Sequence, residues 1–119
     1  MKHHLKTGKE GETLAAEWLV AGGYAILFRN WRYAYYEIDL IAIKQDVLHF
    51  IEVKTRKNNR FGYPEEAVDR KKLQRLMHAA EVFLSQYPRY KRVQYDVVSV
   101  QWFPQQTPQI MLFEDVYPW

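Results

Sequence analysis

At 119 residues with 48% hydrophobic side chains, the chain is sized for one globular domain with its own core, and it carries no low-complexity tract. A net charge of +3, from 17 Lys and Arg against 14 Asp and Glu, permits a polyanionic partner without demanding one. The absence of cysteine excludes disulfides, thiolate zinc sites and cysteine nucleophiles.

The N-terminal stretch Met1-Lys2-His3-His4-Leu5-Lys6 lacks the apolar core of a secretory signal. No apolar run nears the ~18 residues of a membrane span, so a cytoplasmic location with no membrane partner is expected. Thr7 to Ala21 is predicted as a first helix: Thr7 with Glu10 makes a capping-box pattern, and Gly22-Gly23 is a stop. Leu14, Ala15, Trp18 and Leu19 recur at helical spacing and should pack on a sheet. Glu12 stands at the edge of that stripe. A carboxylate turned inward needs a partner, whereas an acid near a helix N-terminus is also favoured by the dipole. Both readings of Glu12 stay open.

Tyr24–Arg29 reads as a strand, with Asn30-Trp31-Arg32-Tyr33 turning the chain. Tyr36–Ile43 and Val47–Lys54 are rich in β-branched and aromatic residues and close enough for a hairpin, although the connection lacks an Asn-Gly or Asp-Gly pair. Side chains alternate across a strand. A two- or four-residue connection then sets Ile43 against Leu48, Ile41 against Phe50, Asp39 against Glu52 and Glu37 against Lys54. A slip of one residue would turn every side chain to the other face, so the register is well specified.

That register brings the carboxylates of Asp39 and Glu52 face to face, with Cβ atoms about 5 Å apart. Such a pair survives best with a compensating cation, and hard Mg²⁺ or Mn²⁺ favours carboxylate, carbonyl and water oxygens. With Lys54 two residues beyond Glu52, the group fits metal-assisted hydrolysis of a phosphodiester. The plainer alternative is a Glu37–Lys54 cross-strand ion pair with Asp39 a solvated strand end.

The loop Thr55–Pro64 is basic and interleaved with aromatics, through Arg56, Lys57, Arg60, Phe61 and Tyr63. It suits either a phosphate backbone with exposed bases or a solvated connection. Glu65 to about Tyr87 is predicted as the second helix, opening after Pro64 with acids in its first turn. Leu73, Leu76, Met77, Ala80, Phe83 and Leu84 form its core stripe, and Arg70, Lys71, Lys72 and Arg75 make its early turns basic. That basic face is either solvated or an edge that contacts phosphate. His49 and His78 stand apart from other histidines, His3-His4 lies near the chain end, and none is given a metal role. Val93–Val100 is a further strand, and Ile110–Phe113 adds a short edge strand. The aromatic tail Tyr117-Pro118-Trp119 either covers the core or meets a second subunit, so a homodimer is one expectation. The reading is a single α/β domain, 1–119, with 1–6 and 114–119 at its periphery and the order α-β-β-β-α-β around a mixed sheet.

That order, with Glu12 on the first helix, Asp39 on one strand and Glu52-Val53-Lys54 on the next, resembles the PD-(D/E)xK nuclease superfamily, the restriction-endonuclease-like fold shared by archaeal Holliday junction resolvases. More closely, the chain resembles the bacterial YraN family of uncharacterised proteins. The matching segments are Gly8-Lys9-Glu10-Gly11-Glu12, Gly23-Tyr24-Ala25-Ile26-Leu27, Arg29-Asn30-Trp31-Arg32, Glu37-Ile38-Asp39-Leu40-Ile41-Ala42 and Phe50-Ile51-Glu52-Val53-Lys54-Thr55-Arg56. They continue through Phe61-Gly62, Glu66-Ala67-Val68, Lys71-Lys72 and Tyr95-Asp96-Val97-Val98, covering about Gly8 to Val100. Two departures stand out: Tyr36 replaces the family's usual Gly, and Gln94-Tyr95-Asp96 its usual Arg-Phe-Asp.

The resemblance implies that Asp39 and Glu52 are metal-binding acids, with the Val53 carbonyl as a further ligand and Glu12 holding the metal directly or through water. Lys54 corresponds to the catalytic lysine, and Glu37 would steer it from behind. The implied activity is a nuclease dependent on Mg²⁺ or Mn²⁺, acting on structured or branched nucleic acid, DNA more than RNA. Arg56, Lys57, Arg60, Lys71, Lys72 and Arg75 are the expected nucleic-acid contacts. Two other functions remain open: a nucleic-acid-binding module of the same fold without turnover, and a protein-interaction subunit.

Overall fold

The structure, a computed structural model, describes residues 2–57 and 68–117. Helix α1 (Lys2–Ala21) precedes three strands, β1 (Ala25–Tyr33), β2 (Tyr36–Lys44) and β3 (Val47–Arg56). Helix α2 (Arg70–Gln86) then leads to β4 (Val93–Gln101) and β5 (Gln109–Phe113). The five strands form one sheet in sequence order, antiparallel except for the parallel pair β3 and β4, which a crossover through α2 requires. This is the expected α/β architecture with a mixed sheet, consistent with a restriction-endonuclease-like fold, and β5 extends the order to α-β-β-β-α-β-β.

Each helix covers one face. Leu73, Leu76, Ala79, Ala80 and Phe83 of α2 pack with Ile38, Ile41, Leu48, Phe50 and Val97 in one core. Ala15, Ala16 and Leu19 of α1 pack with Leu40, Ala42, Ile51, Val98 and Val100 in the other. Helix α1 ends at the two glycines as expected. Tyr24 N–H donates to the Leu19 carbonyl and Gly23 N–H to that of Val20, with Gly23 at φ +98°, which is the Schellman arrangement. The turn between β2 and β3 is two residues, Gln45-Asp46, both at positive φ as a type I′ turn requires. It delivers the expected pairs Ile43–Leu48 and Ile41–Phe50.

Three sequence expectations are corrected. Helix α1 begins at Lys2, so Thr7 lies inside it and not at its start. Strand β1 runs through Asn30–Tyr33 instead of turning there, because Arg32 and Tyr33 pair with Glu37 and Tyr36. Helix α2 starts at Arg70, not Glu65: Asp69 is extended, and its side chain accepts the N–H groups of Lys71 and Lys72, which ends the helix on that side. The described part of the C-terminal tail is anchored at the domain surface: Asp115 N–H donates to Asp96 Oδ1 at 2.9 Å and Val116 N–H to the Tyr95 carbonyl at 2.8 Å.

Strand β1 breaks strict alternation twice, first at a register shift between Ile26 and Phe28, and the second break shapes the site. Phe28 and Trp31, three residues apart on β1, both meet Phe83 of α2 edge-on, at 5.6 and 5.4 Å between ring centres. Strict alternation would send them to opposite faces. Asn30, between them at φ +53°, absorbs the slip, and in the register it falls opposite Asp39. The same slip puts Ile38 and Ile41 of β2 in one core.

Candidate active site

Asp39 sits where β2 and β3 part. The last paired residues are Leu40 and Ile51, so Asp39 and Glu52 do not continue the ladder as the simple register anticipated. Instead Asp39 Oδ2 accepts the main-chain N–H of Val53 at 2.8 Å. A carboxylate has entered the space that a backbone carbonyl would fill, and the strands open around it. Behind this gap the α2 face forms a cleft of about 530 Å³, lined by both Asp39 and Glu52. The two acids therefore share one cavity and do not point to opposite sides of the sheet. Lys72, Arg75, Leu76 and His78 of α2 also line it, together with Tyr35, Tyr36 and Glu37.

Burial and crowding decide the protonation of these groups. Asp39 is pushed up from 3.8 to about 7, chiefly by burial. The Val53 N–H opposes that rise, while the charges of Glu52, Glu12 and Glu37 add to it. Glu52 is also raised by burial, against the pull of Lys72, Lys54 and Arg75. Lys54 is lowered, first by its hydrogen bond with Lys72, then by burial and by the positive charges of Lys72 and Arg56. Acids and cations are thus packed at a density that disfavours leaving the acids both ionised and unaccompanied.

Glu12 reaches this neighbourhood because α1 crosses β3 closely. Gly11 is buried against Thr55, and a Cβ there would run into the Thr55 side chain. One residue further, Thr13 Oγ1 accepts from Arg29 Nη2 at 3.0 Å, tying the helix to β1. Glu37 pairs with Arg32 at 2.9 Å across the β1–β2 rung. Among the described residues no three His, Asp or Glu side chains converge as a ready-made metal cage. The fit is to an ion content with one or two protein carboxylates, as Mg²⁺ is, and the donors in the gap are all oxygens.

Of the expected nucleic-acid contacts, Lys72 and Arg75 line the cleft, and Arg56 neighbours Lys54 on β3. Lys57 and Lys71 are exposed at the ends of β3 and α2. Arg60, with Phe61, Tyr63 and Glu65, lies outside the described residues.

Sequence reasoning missed two features. Tyr35 was not marked as part of the site, although it adjoins the Tyr36 departure and the Glu37-x-Asp39 segment. His49, read as isolated, is buried with its Nδ1 at 2.6 Å from Asp96 Oδ2. Asp96 Oδ1 also accepts from Gln94 Nε2 at 3.0 Å. No local signal links residues 47 positions apart; only the parallel β3–β4 register, which sets His49 beside Gln94, could have found the pair.

No helix among the described residues is long and apolar enough to cross a membrane. The model of one family, described as "Uncharacterised protein family UPF0102", matches residues 11–100. A UPF0102 protein of Rhodococcus opacus is 42% identical over 118 residues, 98% of this chain and 100% of that one. Those of Syntrophomonas wolfei and Bacteroides thetaiotaomicron are 47% and 40% identical over 94 and 100 residues, covering 78% and 84% of this chain and 82% and 83% of theirs.

Proposed function

The chain belongs to the uncharacterised protein family UPF0102, and from that premise we propose that it is a divalent-metal-dependent nuclease hydrolysing phosphodiester bonds in DNA or RNA. The observation that carries this reading is the sharing of one cleft by Asp39 and Glu52, with burial raising both, beside Lys54 and the Lys72–Arg75 wall. Two half-buried acids with raised pKa values are a cost to the fold that a bound cation would remove.

Asp39 and Glu52 would hold the ion, with the Val53 carbonyl and Glu12 completing its surroundings; Mg²⁺ or Mn²⁺ so placed supplies positive charge to a phosphodiester oxygen and acidifies water. The chain's own groups do the rest. Val53 N–H fixes the Asp39 carboxylate in the strand gap. Lys54, on the same strand as Glu52, orients the attacking water and offsets negative charge developing on the phosphate. Lys72, beside Lys54, adds positive charge there, and with Arg75 it offers charge to the adjoining backbone.

The test is cleavage of branched, flapped and single-stranded substrates by purified protein with Mg²⁺ or Mn²⁺. Cleavage abolished in Asp39→Ala and Glu52→Ala supports the reading, and no cation-dependent cleavage of any of them overturns it. A second reading, a binding module without turnover, is favoured by the lack of a third converging ligand among the described residues. It requires salt-sensitive binding that Lys72→Ala weakens and Asp39→Ala leaves alone.

A further inference from the structure

The β1–β2 turn carries two aromatic rings that the fold does not use. Tyr33 and Tyr36 pair, leaving a two-residue turn of Ala34 and Tyr35, with Ala34 at φ +55°. Tyr35 is 100% exposed and Tyr36 38% exposed. Neither belongs to a hydrophobic core cluster, yet both line the cleft that holds Asp39 and Glu52. The base of the turn is well held: Arg32 and Glu37 bridge the next rung at 2.9 Å, and Trp31 stacks on Tyr33 at 6.5 Å. The tyrosines are thus presented from a paired hairpin into the cleft that Lys72 and Arg75 also line.

We infer that this tyrosine wall captures an unpaired nucleobase, while the phosphate of the same strand lies toward Lys72 and Arg75. The inference rests on the reading of the cleft as a nucleic-acid site and specifies which nucleic acid it takes. Aromatic rings and cations in one cleft are the chemistry of a single-strand platform: the ring stacks on the base, and the cations meet the backbone. Within a duplex both faces of a base are already covered by neighbours, so only a base out of the stack has a face to offer a tyrosine. A cleft of about 530 Å³ has the scale of a small-ligand pocket, not of a duplex groove. Glu37, the acid nearest the two rings in sequence, is engaged by Arg32, which lessens its repulsion of a phosphate. The substrate class is therefore a strand with an unpaired base next to the bond presented to Asp39 and Glu52, as at a flap, a gap or a single-stranded end.

The test is fluorescence anisotropy in EDTA, so that binding is read without turnover. The probes are a short oligothymidylate, the same oligomer with abasic positions, a blunt duplex, and an oligouridylate of equal length. Wild-type protein is expected to bind the base-bearing strand about 5- to 100-fold more tightly than the abasic one, the range that one stacked base supplies. Tyr35→Ala/Tyr36→Ala should bind both alike, and Tyr35→Phe/Tyr36→Phe should keep the preference. Lys72→Ala should weaken both strands by a similar factor. Tyrosine-dependent preference on the thymidylate or the uridylate supports the inference, and the tighter of the two identifies the sugar. Absence of binding to either single strand, equal affinity of wild type for base-bearing and abasic strands, tighter binding to the duplex, or a preference that survives loss of both tyrosines overturns it. Base capture without cleavage would sink only the nuclease reading; cleavage without base preference would sink only this one.

Discussion

Asp39 takes the place of a rung in the sheet: its Oδ2 accepts the N–H of Val53 at 2.8 Å, just past the last paired residues, Leu40 and Ile51. A main-chain donor at the mouth of the strand gap is satisfied by a side chain. The same bond fixes a carboxylate between acids that approach from both faces of the sheet, Glu12 on α1 and Glu52 on the α2 side.

The first consequence is a stability that falls with pH in the metal-free protein. Asp39 is raised from 3.8 to about 7, so between those values the folded chain keeps a proton that the unfolded chain has released. Its contribution is complete below pH 4 and is lost as pH rises through 7, by on the order of 2–4 kcal/mol. Asp39→Asn keeps an acceptor for Val53 N–H and has nothing to ionise. Urea melts in EDTA should find the variant more stable than wild type at pH 8 and close to it at pH 4. Parallel pH profiles for the two proteins would refute the assignment.

Cation binding should carry the opposite dependence. A divalent ion competes with the proton on Asp39, so Mn²⁺ affinity is expected to rise as pH increases from 6 to 8, with proton release at the lower end. Calorimetry in two buffers of different ionisation enthalpy measures both. Asp39→Ala and Glu52→Ala should each lower the affinity at least ~10-fold; an unchanged isotherm in either would remove that residue from the site.

Asn30 is expected to tolerate glycine and reject β-branched residues. At φ +53° it absorbs the slip that lets Phe28 and Trp31 both reach Phe83. Asn30→Val should cost about 1–2 kcal/mol in denaturant melts, while Asn30→Gly stays within ~0.5 kcal/mol of wild type. Because Asn30 lies opposite Asp39 in the register, the valine variant should also lose Mn²⁺ affinity.

The buried His49–Asp96 contact predicts a stability effect remote from the cleft. Asp96→Ala strands the His49 ring, the Gln94 amide and Asp115 N–H together, and should cost about 3 kcal/mol or more. Asp96→Asn retains an acceptor and should cost less. Equal melts for the two variants would show that the hydrogen bonds carry little.

Local pattern alone determined a good deal of this molecule. Gly22-Gly23 ends α1 because a left-handed residue is needed there and Gly23 supplies it. The apolar alternation of β2 and β3 set Ile43 against Leu48 and Ile41 against Phe50, since a slip would have exposed the core face. The stripe of Leu73, Leu76, Ala80 and Phe83 announced the buried face of α2. What the tertiary structure decided lies where those periodicities break or where distant segments meet. Alternation could not foresee that Asn30 would slip the pleat, that β2 and β3 would part after Leu40, or that Asp39 would bond Val53 instead of facing Glu52 in a ladder. Nor could spacing bring His49 to Asp96 or Tyr35 and Arg75 to one cleft, because those encounters depend on how the crossover through α2 and the β1–β2 hairpin lie on the sheet. Periodicity is a property of neighbours along the chain; a site is made by neighbours in space.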